Sequence, residues 1–521
     1  MFRFAEIPGL ARFALGLRGF LRDRLSFEAA ERQVRDGVAR RDERFLAKLR
    51  QAVFGNRRSP YLALCRWAGC EFGDLERLVA SDGVERALEE LRRAGVFVSW
   101  EELKGRQPVR RGSQVFEFRW EDFTNPIARL HYQSSSGGSS GPALRVGLDL
   151  EHAVQAAPDW AVMLRAHGLE KAPLIFWTPT HAGIASRYLK CAKFGMPLEK
   201  WFANARVRSF EDRLRSRVVH GIARLHGGCP KIEDAPLDRP EPVLSYILQR
   251  LADGARPAVN TSPSAAALLS RAALERGASL EGVHFLLGAE PVTPARCRTI
   301  EASGAKAIAT YGTSEAGWIG GQFPGRTEPD EVHVFREAFA VIANQDREMP
   351  GVTGHPVLFT ALRPAAPKVL LNAELGDAAV IETGCGGPPA ERYGYDVRMH
   401  TIRSFRKITV WGATFAVADL DSIIEDYLPA RFGGALNHYQ LIEQQDERGT
   451  PGLRLLVSPA LGAIDEPAIA GAFLDELARR QGGYRFMVEE VRVAQTLRIE
   501  RSEPVATARG KVLAVIPERA R

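Results

Sequence analysis

Tyr311-Gly312-Thr313-Ser314-Glu315-Ala316-Gly317 closes the apolar stretch Ala305 to Thr310 and sets a tyrosine, a small hydroxyl residue and a carboxylate close together. It does not stand alone. Upstream lie a Ser/Gly loop, Ser134 to Pro142, and Gly288-Ala289-Glu290-Pro291. Downstream come Glu374-Leu375-Gly376-Asp377 and, near the end, Thr507-Ala508-Arg509-Gly510-Lys511. The Ser/Gly loop offers hydroxyls and unhindered backbone N–H groups, because glycine lets a backbone approach an anion closely. Such a nest can wrap phosphates. It is not a Walker A loop, since no Gly-Lys-Ser/Thr follows.

Outward from these motifs, short apolar runs such as Pro173 to Trp177 and Val283 to Leu287 alternate with helix-like stretches such as Ser264 to Arg276. That alternation predicts an α/β unit with substantial parallel sheet. Phe27 to about Leu103 is helical and charged, with apolar residues recurring at three and four. The stretch Gly112 to Trp120 reads as a strand. A turn-rich segment spans Thr383 to Pro389. Past Arg403 the chain begins afresh with a strand-like run, Lys407 to Gly412, and a helix from Val417 to Tyr427. The expected organisation is a helical lead-in (1–129), a core (130–403) belonging to the same large domain, and a small C-terminal α+β domain (404–521).

At 521 residues the chain exceeds what a single hydrophobic core supports. Its 45% hydrophobic and 26% charged residues are those of an ordinary globular protein. None of the six cysteines falls in a C-x-x-C pair, which argues against a zinc ribbon or a disulfide framework and fits a reducing cytoplasm. No apolar run reaches about 18 residues, so no membrane span is expected. Arginines interrupt the apolar N-terminus, which reads as a helix packed on the parent domain or, alternatively, as an amphipathic surface helix. The net charge of +7 reads first as a mildly basic surface and is also compatible with an anionic nucleotide, CoA or an acidic carrier protein. Without an interleaved basic and aromatic motif it does not point to nucleic acid.

In this order, the five stretches resemble the adenylate-forming superfamily of acyl-CoA synthetases, nonribosomal-peptide adenylation domains and luciferases, with the nearest likeness to its phenylacetate-CoA ligase branch. The resemblance covers roughly Leu130 to Arg521. It implies a large N-terminal domain of parallel-rich sheets and packed helices followed by a small mobile α+β domain. It also implies ATP and Mg²⁺ as cofactors, with CoA or a phosphopantetheine as acceptor. The substrate would be a small carboxylic acid, with an acyl carrier protein as a candidate partner; dimers are common among such ligases.

Residue by residue, the resemblance implies that Ser136, Gly137, Gly138, Ser139, Ser140 and Gly141 grip the leaving pyrophosphate. Gly288, Ala289, Glu290 and Pro291 wall the adenine, with Tyr311 and Gly312 beside it. Thr313 contacts the α-phosphate, and Glu315 ligates Mg²⁺. Asp377 accepts from the ribose hydroxyls, Arg403 contacts ribose or phosphate, and Lys511 bridges the acid and the α-phosphate. Attack at the α-phosphorus builds charge that such a set offsets. A plainer reading makes Gly288 to Pro291 a strand-to-helix turn with Glu290 in the first helical turn, and Arg403 a surface cation. His181 is an acyl-pocket candidate or a structural histidine, and a lone Cys385 in its Gly-rich turn cannot make a zinc site.

Two departures from the family pattern stand out. Pro142 follows Gly141 directly, where a further residue, often lysine, is usual; the nearest cation is Arg145. After Arg403 the usual hinge aspartate is replaced by Phe405-Arg406-Lys407, which leaves Lys407 as a candidate hinge. A second enzymatic possibility is an acyl-protein synthetase that passes the acyl group to a protein side chain, and the two departures also admit a degenerate module that binds acyl-adenylates without turnover. Retention of Thr313, Glu315, Asp377 and Lys511 counts against the module.

Overall fold

The computed structural model describes residues 7–129, 132–135, 145–180, 184–204, 210–237, 239–347, 353–385, 387–404, 407–411, 413–434, 438–446, 449–480, 484–505 and 514–516. A 12-stranded mixed sheet runs through the large part of the chain. One half is parallel: Lys306–Thr313, His284–Leu287, Ala258–Thr261, Leu174–Thr178, Leu198–Ala203 and Ile232–Asp234 lie side by side in that order. The strands Leu174–Thr178, Ala258–Thr261 and His284–Leu287 are buried along their whole length. Helices cover both faces of such strands, which accounts for near-continuous apolar runs instead of alternation.

Two of the crossing helices start with a side-chain cap. Ser262 accepts from Ala265 N at the head of Pro263–Glu275 and Thr293 from Arg296 N at the head of Pro294–Ala302, each followed by a proline that needs no donor there. The other half of the sheet is antiparallel. Gly317–Gly321, Val332–Val334, Val397–Ser404, Ala373–Thr383, His355–Ala361 and Phe339–Ala343 continue it to the far edge.

The first helix, Ile7–Arg22, packs on the body of the chain: Phe13 and Leu17 are fully buried, and Lys193 Nζ donates to Phe20 O at 3.0 Å. Among the described residues no helix is long and apolar enough to cross a membrane. Two sequence expectations need correction. Of the stretch Gly112 to Trp120 only Gln114–Phe116 is strand. Gly112 takes a φ of +55°, and the chain doubles back to pair Arg111 with Gln114, while Trp120 opens a short 3-10 turn. The helix expected to end at Tyr427 instead widens over Ile423–Tyr427 into π geometry and runs on to Phe432. Pro429 has no N–H for the bond that would hold an α-turn there.

After Ser404 a separate four-stranded sheet forms, in the order Leu497–Arg501, Pro451–Val457, Tyr439–Gln445, Val515–Ile516, with helices Glu466–Arg480 and Tyr484–Val493 packed together beside it. The turn after Tyr439–Gln445 touches the large sheet's flank. Thr293 Oγ1 donates to Gln445 Oε1 at 2.6 Å, Arg296 Nε to Gly449 O at 2.9 Å, and Arg271 Nη1 to Thr450 Oγ1 at 3.2 Å.

A buried ionic group ties helix Leu150–Ala166 to the sheet: Arg363 Nη2 bonds both Asp159 and Glu337, the latter at 2.6 Å, with all three side chains nearly inaccessible. Removing one member strands buried charge. Arg363→Met is therefore expected to lower unfolding free energy by about 3–5 kcal/mol in urea titrations; an unchanged midpoint would mean that Asp159 and Glu337 are held neutral without their cation.

Candidate functional site

The strand Lys306–Thr313 is the seam of the large sheet, parallel to His284–Leu287 on one side and antiparallel to Gly317–Gly321 on the other. The hairpin Thr313 to Gly317 is the sequence motif itself, with Thr313 opposite Gly317 and a bulge between Tyr311 and Gly312. Gly312 is obligatory here, since a Cβ would lie 2.5 Å from Gly317 O. Gly317 closes the turn at a φ of +79°. Thr313 Oγ1 accepts from Ala316 N at 3.2 Å, and Thr310 Oγ1 donates to Leu287 O at 2.6 Å, which fixes the hairpin against the neighbouring strand.

Tyr311 Oη donates to Asp377 Oδ2 at 2.8 Å, so two residues far apart in the chain meet directly. Burial pushes the Tyr311 phenol well above its ordinary value, and the charges of Asp377 and Glu315 push the same way. The phenol therefore stays a hydrogen-bond donor throughout ordinary pH. Gly376, just before Asp377, has a φ of +89°, the bend that re-aims the strand at this point.

Glu315 is paired with a residue that sequence reasoning did not single out. Lys104 Nζ binds Glu315 Oε1, with the lysine side chain 1% and the glutamate 9% exposed. The ammonium lies 4.4 Å from the Trp120 ring centroid, and Lys368 lies 4.0 Å from that same ring while donating to Trp120 O at 2.7 Å. Burial pulls Lys368 down to about 8. The only sequence signal was a lysine and two tryptophans, Trp100 and Trp120, in a stretch otherwise read as lead-in.

Gly288 to Pro291 follows the strand His284–Leu287 directly. A Cβ at Gly288 would sit 3.0 Å from Thr310 Oγ1, and Ala289 adopts a φ of +72°. Glu290 does not lie in the first turn of Pro294–Ala302, which corrects the plainer reading. It reaches across instead to the head of Pro263–Glu275, accepting from Ser264 N at 3.2 Å and from Ser264 Oγ, with Arg296 Nη1 at 3.3 Å. Arg403 is no loose surface cation either. Its Nη1 donates to Asp330 Oδ2 at 2.9 Å, and Asp330 also accepts from Thr401 N and Ile402 N.

The structure thus gathers Tyr311, Asp377, Thr313 and Glu315 at one end of the seam strand and adds Lys104. Ser136 to Gly141, His181, Thr507 and Lys511 lie outside the described residues; the strands Tyr132–Ser135 and Arg145–Leu148 on either side of the Ser/Gly loop pair with each other. Among the described residues no three His, Cys, Asp or Glu side chains come together as a metal nest. Mg²⁺ is usually held by one or two carboxylates and substrate phosphates, and Glu315 would supply one such carboxylate on exchanging Lys104 for the ion.

No protein-family model matches the chain, and no curated protein does. Solved structures do. A 2-hydroxyisobutyryl-CoA ligase, in complex with 2-HIB-AMP and CoA in the thioesterification state, superposes with a TM-score of 0.54 at 14% identity, over 92% of this chain and 90% of that one. An amide bond synthetase from Marinactinospora thermotolerans matches at 14% identity over 93% of this chain and 97% of its own, with a TM-score of 0.42.

Gly312→Ala forces the hairpin backbone apart, and a loss of about 1–3 kcal/mol is expected by chemical denaturation. A parental midpoint would show that the bulge between Tyr311 and Gly312 absorbs the methyl group.

Proposed function

We propose that this chain, which has the fold of the adenylate-forming enzymes, is an ATP-dependent carboxylate-activating ligase of the phenylacetate-CoA ligase-like branch. The observation that carries the reading is the meeting of Tyr311 with Asp377 beside the Thr313 to Gly317 hairpin. In that reading Asp377 takes the ribose hydroxyls while Tyr311 orients the carboxylate and flanks the base. The backbone of Gly288 to Pro291 walls the adenine. The glycines and serines from Ser136 to Gly141 hold the pyrophosphate, and Arg403 supports the ribose side.

In the first half-reaction a carboxylate oxygen of the acid bonds to the α-phosphorus, the bond from that phosphorus to the bridging oxygen breaks, and pyrophosphate leaves. Thr313 donates to the α-phosphate, and Lys511, brought in by the small domain, neutralises charge between acid and phosphate. Glu315, with the ATP phosphates, would hold Mg²⁺, which would supply charge neutralisation. In the second half-reaction a thiol of CoA or of a carrier protein's phosphopantetheine loses its proton, its sulfur bonds to the acyl carbon, and AMP leaves.

A second reading, a binding module without turnover, gains support from the Lys104–Glu315 ion pair, because an ammonium already neutralises the carboxylate assigned to the metal. ATP/³²P-pyrophosphate exchange across aryl, fatty and amino acids separates the two. Exchange with one acid class is expected, falling by about two orders of magnitude or more in Lys511→Ala and vanishing on chelation of Mg²⁺. Bound ATP with no exchange for any acid would favour the module.

A further inference from the structure

Two helices that approach the Thr313 to Gly317 hairpin and Trp318 present charge. His152 and Asp159 stand seven residues apart on one face of Leu150–Ala166, and Arg187 and Lys190 three apart on Ala185–Lys193. The two helices pack against each other. His152 approaches the hairpin itself: a Cβ on Gly317 would lie 3.5 Å from its Nε2. The Arg187 guanidinium stands 5.2 Å from the ring centroid of Trp318, the next residue, whose other neighbour is Trp160 at 4.8 Å. Lys190 is 2% exposed.

The charges in this group do not balance. The two carboxylates, Asp159 and Glu337, both pair with Arg363, and of the two only Asp159 also favours the charged form of Lys190, from beyond ion-pair distance. Among the described residues no carboxylate comes within ion-pair distance of Arg187 or Lys190, and His152 Nδ1 is buried without a hydrogen-bond partner. Burial pulls Lys190 down to about 7 and Arg187 to about 10, and holds His152 well below its ordinary range, with Lys190 next among the causes. Desolvated cations without a counter-ion are costly, and a bound anion removes that cost.

We infer that the acid-binding side of the hairpin is built for a substrate with two negative groups: the carboxylate that reacts, and a second anionic group received by Arg187 and Lys190 beside Trp318. This inference rests on the ligase reading above. An acid whose reacting carboxylate lies at Thr313 would extend past Gly317, where His152 Nε2 is the nearest side-chain atom, toward the Trp318 ring. The ring gives its chain or aryl body an apolar wall, and the guanidinium over that ring takes its far end. An arginine is well suited to a second carboxylate because its planar fork binds both oxygens.

The test compares pyrophosphate exchange on glutarate, adipate and terephthalate with exchange on their monomethyl esters, which keep the reacting carboxylate and lose the second charge. The diacid is expected to exceed its ester by about ten- to a hundredfold in kcat/KM, the worth of a charge-assisted hydrogen bond. In Arg187→Met and Lys190→Met that ratio should fall toward unity, while Arg187→Lys should retain part of it. Esters and simple monoacids used as well as the diacids would overturn the inference and leave the ligase reading standing. Absence of exchange with every acid would instead overturn the ligase reading, and this inference with it. Should the variants not fold, calorimetry on the parental protein with paired non-hydrolysable acyl-sulfamoyl adenosines, charged and esterified, decides the same question; equal affinities would overturn it.

Discussion

Everything at the candidate site depends on one strand having two kinds of neighbour. Lys306–Thr313 is the last strand of the parallel half and the first of the antiparallel half. Parallel strands need long crossovers, so their ends open outward; an antiparallel partner needs only a tight hairpin. At the carboxyl end of the seam both conditions hold together. The chain turns back at once, at the end where the parallel strands finish, and carries Thr313 and Glu315 there on a tight hairpin. Gly312 is the condition for this, because any side chain at that position meets Gly317 O.

The second constraint is electrostatic. The interior carries several charged side chains arranged in pairs: Lys104 with Glu315, Arg296 with Glu290, Arg363 with Asp159 and Glu337, Arg403 with Asp330. A buried pair contributes little net stability and severely penalises the loss of one partner. Its more durable effect is geometric, since each carboxylate can satisfy its cation in only one place. Against that background, the cations at Arg187 and Lys190 stand out.

The parallel half was legible in sequence because three of its strands are wholly buried, so their apolar runs and turns stood out. Tyr311, Thr313, Glu315 and Asp377 were singled out by motifs whose order resembles a known family, and the structure brings Tyr311 and Asp377 into contact. What could not be read were partnerships across long separations. Nothing local to Lys104 signals that it will meet Glu315, and nothing in Arg403 announces Asp330. The stretch Gly112 to Trp120 failed for a different reason: its alternation was compatible with a strand, but a glycine with positive φ decided the course of the backbone. Glu290 misled because its nearest helix in sequence is not the helix it caps.

Arg296 is shared between the two parts of the molecule. Its Nη1 faces inward, to Glu290 and to Pro291 O at 2.7 Å, while its Nε reaches outward to Gly449 O on the turn of the smaller sheet. Were that turn to swing away, the guanidinium would forfeit one outward bond, worth about 1 kcal/mol net, and keep every inward one. The segment Gly288 to Pro291 would then hold its shape whether or not the smaller unit is seated. The bonds that shape the socket are not the bonds that hold the ball, so motion on one side need not blur the template on the other.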